Sequence, residues 1–319
     1  MVAAVVVPGC DRPAVRTAPW RVVLLEPTDP PPPPAYREGL LEGLGEAATG
    51  EPPPQFGWQT VRAPAESLTA RAAQAAAEGA DLMLAVSSAG LAAAVSAGPA
   101  VVFTDVAEPA RSGVRAPSFL ATWLPALFGS PGPAVTGAYA VSDFGALLQA
   151  AVPVTPVDGA LGAVFVAGDA DSVAYRDHLR DLADRSVASA PLDPAAPAAA
   201  VRALCEQQVR TLVLLGDRST DAVLPDVLGA ARACRMVVLG TRRAHAEAGA
   251  VLTLARDERA AGVAAGRRAA ALMRGGRPQD APFERVAAAQ LILNAQAAES
   301  AGVGLPLSLL AQADDVIGD

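Results

Sequence analysis

The sequence predicts an α/β protein made of two lobes, each built on a parallel β-sheet. Its 319 residues are enough for two domains of ordinary size, and 52% of them are hydrophobic, so both domains can bury a core. Two separate segments repeat a short apolar run, a turn and an Ala/Leu-rich helix. This alternation is typical of parallel strands with helices on both faces of the sheet.

The first segment begins with residues 21–26, which read RVVLLE and predict a buried strand. A proline-rich turn leads to a helix over residues 35–46. The other predicted elements are strands at 56–61, 81–86 and 99–103 and helices at 66–78 and 90–97. Residues 107–135 are rich in Pro, Gly and Ser, which predicts an irregular surface excursion before the chain crosses to the second lobe.

The second segment repeats this pattern. It contains predicted strands at 162–167, 187–190, 212–215, 236–239 and 251–254 and helices at 172–184, 194–208 and 221–234. A long Ala-rich helix over 258–273 follows, and two glycines end it. The chain closes with a predicted strand at 285–293, a helix at 294–301, and a turn and short helix ending at Val316.

Charge and cysteine usage narrow the function classes. The net charge is −8 and the chain has no lysine, so we expect no nucleic-acid partner. Cys205 and Cys234 fall in predicted helices, and we interpret them as small buried apolar residues, with a disulfide between them as the alternative.

The start of the chain resembles the cleavage site of a bacterial lipoprotein signal. An apolar run at residues 2–7 leads through Pro8 and Gly9 to Cys10, which is the predicted lipidation site. The proline departs from the usual pattern, and a positively charged segment before the apolar run is missing. We therefore predict that residues 1–19 are a signal, lipoprotein tail or linker outside the fold, with an incidental tail as the alternative.

Sequence motifs of enzymes are missing. No glycine-rich phosphate loop follows the first strand, and neither a P-loop lysine nor a G-x-S-x-G turn occurs. The two histidines, His178 and His245, read as surface residues, and with three distant cysteines they give no metal-binding spacing. We predict a protein that is not an enzyme and has no cofactor; the alternative is a small-molecule enzyme on the same frame.

Polar residues instead follow the carboxyl ends of the predicted strands, where ligands bind in open parallel sheets. Hydroxyls, helix N-termini and arginine can bind a carboxylate, and aspartate can bind an ammonium group. The same residue types also cap helices in any α/β protein, so each one is either a ligand contact or a cap. The predicted ligand-binding residues are Glu26, Thr28, Ser87, Ser88, Thr104, Asp105, Asp169, Ser172, Asp217, Arg218, Thr241, Arg242 and Asp257.

The C-terminal third carries three motifs of one known family. A helix ending in glycine leads into residues 275–282, an N-x-x-x-A-x-x-x-G motif lies at 294–302, and PLSLLAQADDVI closes the chain at 306–317. These motifs resemble the ends of the ABC transporter substrate-binding proteins of the tryptophan/tyrosine type. Arg277 replaces the family's lysine and Ala301 its leucine. REGLLEGLGE at 37–46 and VTG at 135–137 resemble the family's first helix and first crossover.

The resemblance implies a type 1 periplasmic-binding-protein fold, with two Rossmann-like lobes joined by three crossovers near residues 136–141, 254–257 and 283–286. The first lobe would comprise residues 20–137 plus 258–282, and the second residues 138–257 plus 283–319. In the family, ligand contacts come from the strand-end loops. The matching positions here are Ser87, Ser88, Asp105, residues 169–172, Asp217, Arg218 and Asp257.

The implied function is an extracytoplasmic solute-binding protein of an ABC transporter, periplasmic or on the cell surface. We expect a monomer that closes on a small, amino-acid-like ligand and presents it to a membrane permease. The alternatives are a ligand sensor for a membrane receptor or regulator, without transport, and a degenerate member that binds nothing. Only 4% of the residues are aromatic, which speaks against tryptophan or tyrosine as the ligand.

Overall fold

The computed structural model consists of two α/β lobes, and the predicted fold class is confirmed. It describes residues 18–46, 54–107, 109, 114, 134–156, 158–287 and 289–318. The predicted lipidation site Cys10 and most of the predicted irregular segment at 107–135 lie outside the described residues.

The first lobe is built on six parallel strands in the order β11-β5-β4-β3-β1-β2. Numbered along the chain, they are β1 (Trp20–Pro27), β2 (Phe56–Ala63), β3 (Leu82–Val86), β4 (Ala100–Thr104), β5 (Val135–Ala140) and β11 (Glu284–Val286). Within the described residues, the helices of this lobe are α1 (Pro34–Glu46), α2 (Ala65–Ala77), α3 (Ser88–Ala97) and α10 (Glu258–Met273).

Helices cover both faces of this sheet, which explains the unbroken apolar run in β1. Val22 and Leu24 pack in the core under α1 and α10, whereas Val23 and Leu25 pack in the core under α2 and α3. A strand buried on both faces has no polar side, so its sequence is continuously hydrophobic rather than alternating.

The second lobe is built on seven strands in the order β13-β12-β10-β9-β8-β6-β7, in which only the β10–β12 pair is antiparallel. The strands are β6 (Leu161–Phe165), β7 (Val187–Pro191), β8 (Thr211–Val213), β9 (Val237–Gly240), β10 (Leu252–Arg256), β12 (Ala289–Asn294) and β13 (Asp315–Ile317). The helices are α4 (Phe144–Ala151), α5 (Ala170–Leu182), α6 (Pro197–Glu206), α7 (Arg218–Asp221), α8 (Leu224–Ala233), α9 (Arg243–Ala248), α11 (Ala295–Ala301) and α12 (Leu307–Leu310).

The chain passes between the lobes three times: after β5, at Asp257 before α10, and between β11 and β12. The prediction of one strand over 285–293 is wrong, because β11 pairs with β5 in the first sheet and β12 pairs with β10 in the second. The predicted lobe boundary at 137/138 falls inside β5, and the one at 282/283 precedes β11. A local apolar pattern cannot show this change of pairing partner, since partners are chosen by distant parts of the chain.

Two glycine pairs allow α1 and α10 to pack with their backbones in contact. A Cβ atom at Gly39 or Gly43 would lie 2.1 Å from a carbonyl oxygen of α10. A Cβ atom at Gly262 or Gly266 would lie 2.3 or 2.2 Å from a carbonyl oxygen of α1. Each pair is spaced by four residues, which places both glycines on one helix face. The interface therefore has no room for a side chain at any of the four positions.

The prediction that Cys205 and Cys234 are two separate buried thiols is wrong, because they form a disulfide. Their Cα atoms are 6.0 Å apart, and the bond joins the last turn of α6 to the residue that follows α8. These two helices pack side by side on the same sheet face, within one hydrophobic cluster. The alternative that the sequence left open is the one that the structure contains.

Removing this disulfide is expected to lower the free energy of unfolding by about 3–4 kcal/mol, because the bond closes a chain segment of 29 residues. The variant carrying both Cys205→Ser and Cys234→Ser tests this in urea unfolding monitored by circular dichroism. A reductant should destabilise the wild type to the level of this variant and leave the variant itself unchanged. Equal unfolding midpoints for oxidised and reduced wild type would contradict the expectation.

Candidate ligand-binding cleft

Loops that follow strands of the two sheets meet directly between the lobes. Ser88 begins α3 in the first lobe, and its hydroxyl donates to Asp171 Oδ1 of the second lobe at 2.6 Å. The backbone N–H of Ala107, in the loop after β4, donates to the same oxygen at 3.2 Å. One carboxylate oxygen from the second lobe is thus held by two donors from the first.

A second bridge runs in the opposite direction, from the loop after β8 to the first lobe. Arg218 Nη1 donates to the carbonyl oxygen of Pro30 at 2.9 Å, and Arg218 Nε lies 3.6 Å from Asp105 Oδ2. Both side chains are largely buried. Asp105 has a φ of 55°, a left-handed conformation that aspartate tolerates better than most residues.

Burial changes the ionisation of two aspartates in these loops. Burial raises the pKa of Asp105 to about 6, although Arg218 and then Arg242 and Arg256 act to lower it. Burial likewise raises the pKa of Asp217 to about 7, against the backbone hydrogen bond from Thr220. Burial thus disfavours the charged form of both carboxyl groups.

Four of the predicted ligand-binding residues are helix N-caps. The side chain of Ser87 accepts from Gly90 N at 3.0 Å, and that of Asp169 from Asp171 N at 2.9 Å. Asp217 accepts from Thr220 N at 2.9 Å, and Asp257 from Ala260 N at 2.8 Å. These contacts match the capping alternative that the sequence left open for each of them.

Three further predicted residues are buried, and the hydrogen bonds of two of them lie within the second lobe. Ser172 Oγ accepts from Val166 N at 2.9 Å, and Thr241 Oγ1 donates to the carbonyl oxygen of Leu214 at 3.2 Å. Thr104 is fully buried at the end of β4, and its hydroxyl has no hydrogen-bond partner among residues 18–46, 54–107 and the other described ranges.

Glu26 and Thr28 lie together on the first lobe, beside a cavity of about 540 Å³ whose described lining belongs to that lobe alone. Glu26 is 3% exposed, and its Oε2 accepts from Arg62 Nε at 2.9 Å. The prolines of residues 31–34 form much of the cavity wall. The described hydrogen bond of Glu26 and the lining of this cavity thus both lie within the first lobe.

Arg242 lies in a buried ionic cluster, and its ion pair with Glu258 at the start of α10 also joins the second lobe to the first. Its guanidinium pairs with Asp221 and, at 2.7 Å through Nε, with Glu258 Oε1. His245 is also fully buried, with Nε2 2.8 Å from Asp221 Oδ1, so its interpretation as a surface residue is wrong. Burial alone would raise the pKa of Asp221, but His245 and then Arg242 lower it to about 2.

Arg256, at the end of β10, is the centre of a buried hydrogen-bond cluster. This cluster connects the crossover after β5 to the second lobe. Arg256 Nη1 donates to Ser142 Oγ at 2.8 Å and to the Tyr175 hydroxyl at 3.1 Å, and its Nη2 donates to Gly216 O at 2.8 Å. Ser142 lies in the crossover after β5, and Gly216 precedes the Arg218 loop. Neither Ser142 nor Tyr175 belongs to a recognisable sequence motif, so their contacts with Arg256 could not be predicted.

A cavity of about 480 Å³ lies between the lobes beside these bridges. The first lobe and crossover contribute Ala107, residues 139–142 and Arg285, and α5 of the second lobe contributes Ala174, Tyr175, Asp177, His178 and Asp181. Tyr139, Tyr175 and His178 thus line the space beside the bridging contacts, although aromatic residues are scarce in the chain.

The described part of the chain contains no group of three or more His, Cys, Asp or Glu side chains placed to hold a metal ion. Among its helices, none is both long enough and apolar enough to cross a bilayer.

Two Rossmann-like lobes, three crossovers and a polar cleft between the lobes define a type 1 periplasmic-binding-protein fold. Residues 25–317 match the family described as ABC transporter substrate binding protein, and the chain belongs to that family. This is a family of ligand-binding rather than catalytic proteins. No curated protein matches the sequence.

Solved structures agree on the fold. An ABC domain in complex with L-Trp from Streptococcus pneumoniae is 18% identical, with a TM-score of 0.78 over 94% of this chain and 100% of that one. A conserved domain protein from Vibrio cholerae is 23% identical, with a TM-score of 0.77 and the same coverage. The ligand-free, open structure of a substrate binding protein with adhesive properties from Clostridium difficile is 16% identical, with a TM-score of 0.67 over 94% and 99% of the two chains.

Replacing Asp217 by asparagine is expected to stabilise the protein at pH 8 by about 2–4 kcal/mol and to have little effect at pH 4. Because the pKa of Asp217 is raised to about 7 in the folded state, the wild type loses stability as the pH rises from about 4 to 7. Asparagine keeps the cap acceptor and has no charge to bury. Urea unfolding of both proteins across this pH range measures the difference.

The exposed Asp226, in the first turn of α8, provides a control. Asp226→Asn should track the wild type at every pH. A constant difference between Asp217→Asn and the wild type at all pH values would show that burial of the charge is not the cause.

Proposed function

We propose that this protein is the extracytoplasmic solute-binding component of an ABC transporter, which captures a small organic ligand of amino-acid size between its two lobes. Closure about the three crossovers holds the ligand, and the closed form is presented to a membrane permease. A ligand that contacts both lobes favours closure, since only the closed form makes both sets of contacts.

The observation that carries this proposal is the pair of polar bridges between the lobes. Arg218 reaches Pro30 and Asp105, and Asp171 reaches Ser88 and Ala107, so strand-end loops of both sheets face one common space. The neighbouring cavity of about 480 Å³ is large enough for a ligand of this size. Membership of the substrate-binding family supports the permease as the membrane partner.

The disulfide supports an extracytoplasmic location, because such bonds persist in oxidising compartments and are rare in the cytosol. We propose Cys10 as the site of lipid attachment, on the sequence pattern alone. Mass spectrometry of protein expressed with its upstream reading frame tests that part: the expected result is a diacylated cysteine at the N-terminus, and an unmodified Cys10 would refute it.

Native mass spectrometry of freshly purified protein tests the proposed binding function, with a retained small molecule as the expected result. Small-angle scattering should then show a smaller radius of gyration with that molecule than after its removal by unfolding and refolding. A protein that retains nothing and that no amine, amino acid or sugar compacts is not a solute-binding protein. Turnover of the bound molecule by the purified protein would instead indicate an enzyme.

A further inference from the structure

We infer that the ligand of this cleft is an organic amine that lacks a carboxylate, because the protein supplies that carboxylate itself through Asp171. The inference rests on the proposed function, namely that a small organic ligand binds between the lobes. It narrows the ligand from an amino-acid-like zwitterion to a cation.

The anion-binding position of the first lobe is already occupied by the protein. The Ser88 hydroxyl and the Ala107 N–H both donate to Asp171 Oδ1, at 2.6 and 3.2 Å. Ser88 is the first residue of the ten-residue helix α3, where free N–H groups and the helix dipole favour a negative charge. An amino acid that placed its carboxylate here would have to displace Asp171 from these donors.

The arginine that the described neighbouring loops contribute is already engaged and does not compensate for a second carboxylate. Arg218 already pairs with Asp105 and donates to Pro30. The Asp169 carboxylate lies in the same turn as Asp171 and is held by Ser219 and by two backbone N–H groups. Repulsion between two carboxylates about 5 Å apart at a buried site would lower the affinity for such a ligand on the order of a hundredfold. A ligand carboxylate is therefore disfavoured, whereas an ammonium group is attracted.

The wall of the inter-lobe cavity also carries acidic side chains. The cavity begins at Ala107, whose N–H holds Asp171, and α5 contributes Asp177 and Asp181 to its wall, one turn apart on the same helix face. Asp177 also pairs with Arg176, at 2.6 Å, and Arg285 is exposed on the opposite wall. Tyr139 and Tyr175 line the same space and can pack against the ligand's organic part; the Arg256 guanidinium already lies over the Tyr175 ring, 5.2 Å from its centroid.

Matched ligand pairs that differ only by the carboxylate test this inference directly. Calorimetric titration of the full chain would compare tryptamine with tryptophan, tyramine with tyrosine, agmatine with arginine, and cadaverine with lysine. At least one amine is expected to bind at least about tenfold more tightly than its amino acid. Tighter binding of an amino acid than of its amine would overturn the inference.

Asp171→Asn shows whether this residue sets the preference. Asparagine keeps an acceptor for Ser88 but removes the charge, so the affinity for the amine should fall about tenfold while that for the matching amino acid rises. Asp226→Asn removes one exposed charge from α8 and should leave the ratio of the two affinities unchanged. Thermal unfolding of both variants verifies that they fold.

The outcomes separate this inference from the proposed function. An unchanged amine-to-amino-acid ratio in Asp171→Asn would exclude a role for Asp171 in selecting the ligand. Binding of a neutral sugar, or of a carboxylate ligand alone, would overturn the inference and leave the solute-binding function standing. A protein that binds no small molecule at all would overturn both.

Discussion

Gly43→Ala and Gly262→Ala are each expected to lower the free energy of unfolding by about 2–4 kcal/mol, although alanine is the better helix former. The new Cβ would lie 2.1 Å from Val263 O at the first position and 2.3 Å from Tyr36 O at the second. Neither oxygen belongs to a flexible side chain, so α1 and α10 must move apart along their length. That movement would loosen the core that both helices form with the first sheet. Urea unfolding measures the loss.

A glycine elsewhere in the chain provides the matched control. Gly229 lies in the middle of α8, and a Cβ there would meet no heavy atom within 4 Å. Gly229→Ala should therefore stabilise the protein by up to about 1 kcal/mol, the ordinary gain in helix propensity. If all three substitutions stabilised the protein equally, the close packing of α1 on α10 would be refuted.

Arg256→Met is expected to destabilise the protein by about 3–5 kcal/mol, because it removes a charge whose partners stay buried. Ser142 Oγ, the Tyr175 hydroxyl and Gly216 O would all lose their donor. Glu258, whose Oε1 lies 3.6 Å from Arg256 Nε, would lose this counter-charge and keep its ion pair with Arg242. Since Ser142 lies in a crossover, the variant should also widen the distribution of lobe separations in solution.

Thermal and urea unfolding measure the first effect, and distance measurements between spin labels on the two lobes measure the second. Arg202→Met, at an exposed position of α6, removes the same charge from the surface and should change stability by less than about 0.5 kcal/mol. Equal effects of the two substitutions would mean that the Arg256 contacts contribute nothing. Tyr175→Phe, which removes one hydrogen bond, should cost about 0.5–1.5 kcal/mol.

Most strands and helices were predictable because they depend on local sequence. The run RVVLLE must be buried on both faces, and it is β1; the Ala-rich run from Glu258 to Met273 is α10, with the predicted bounds. The predicted helix at 221–234 is broken instead, because α7 ends at Asp221 and α8 begins at Leu224. The predicted short helix ending at Val316 is also partly wrong, since α12 ends at Leu310 and residues 315–317 form β13 against β12.

Contacts between distant residues were not predictable. Cys205 and Cys234 are separated by 29 residues, and only the side-by-side packing of α6 and α8 brings them together. The glycine pairs of α1 and α10 were visible in the sequence, but nothing in it shows that one pair faces the other. That β11 pairs in the first sheet and β12 in the second was likewise not predictable. Strand pairing depends on which edge of each sheet is free.

The sequence by itself determined the fold class, the family resemblance and the strand-end positions at which a ligand site could form. Tertiary structure decided which strand-end residues meet. It placed Ser88, Asp105 and Arg218 in contacts between the lobes, used Ser87, Asp169, Asp217 and Asp257 as caps, and brought Asp171 to Ser88. The physical reason is that a cap and a cleft residue satisfy the same local rule, a polar side chain at a helix N-terminus, and differ only in what the opposite lobe places against them.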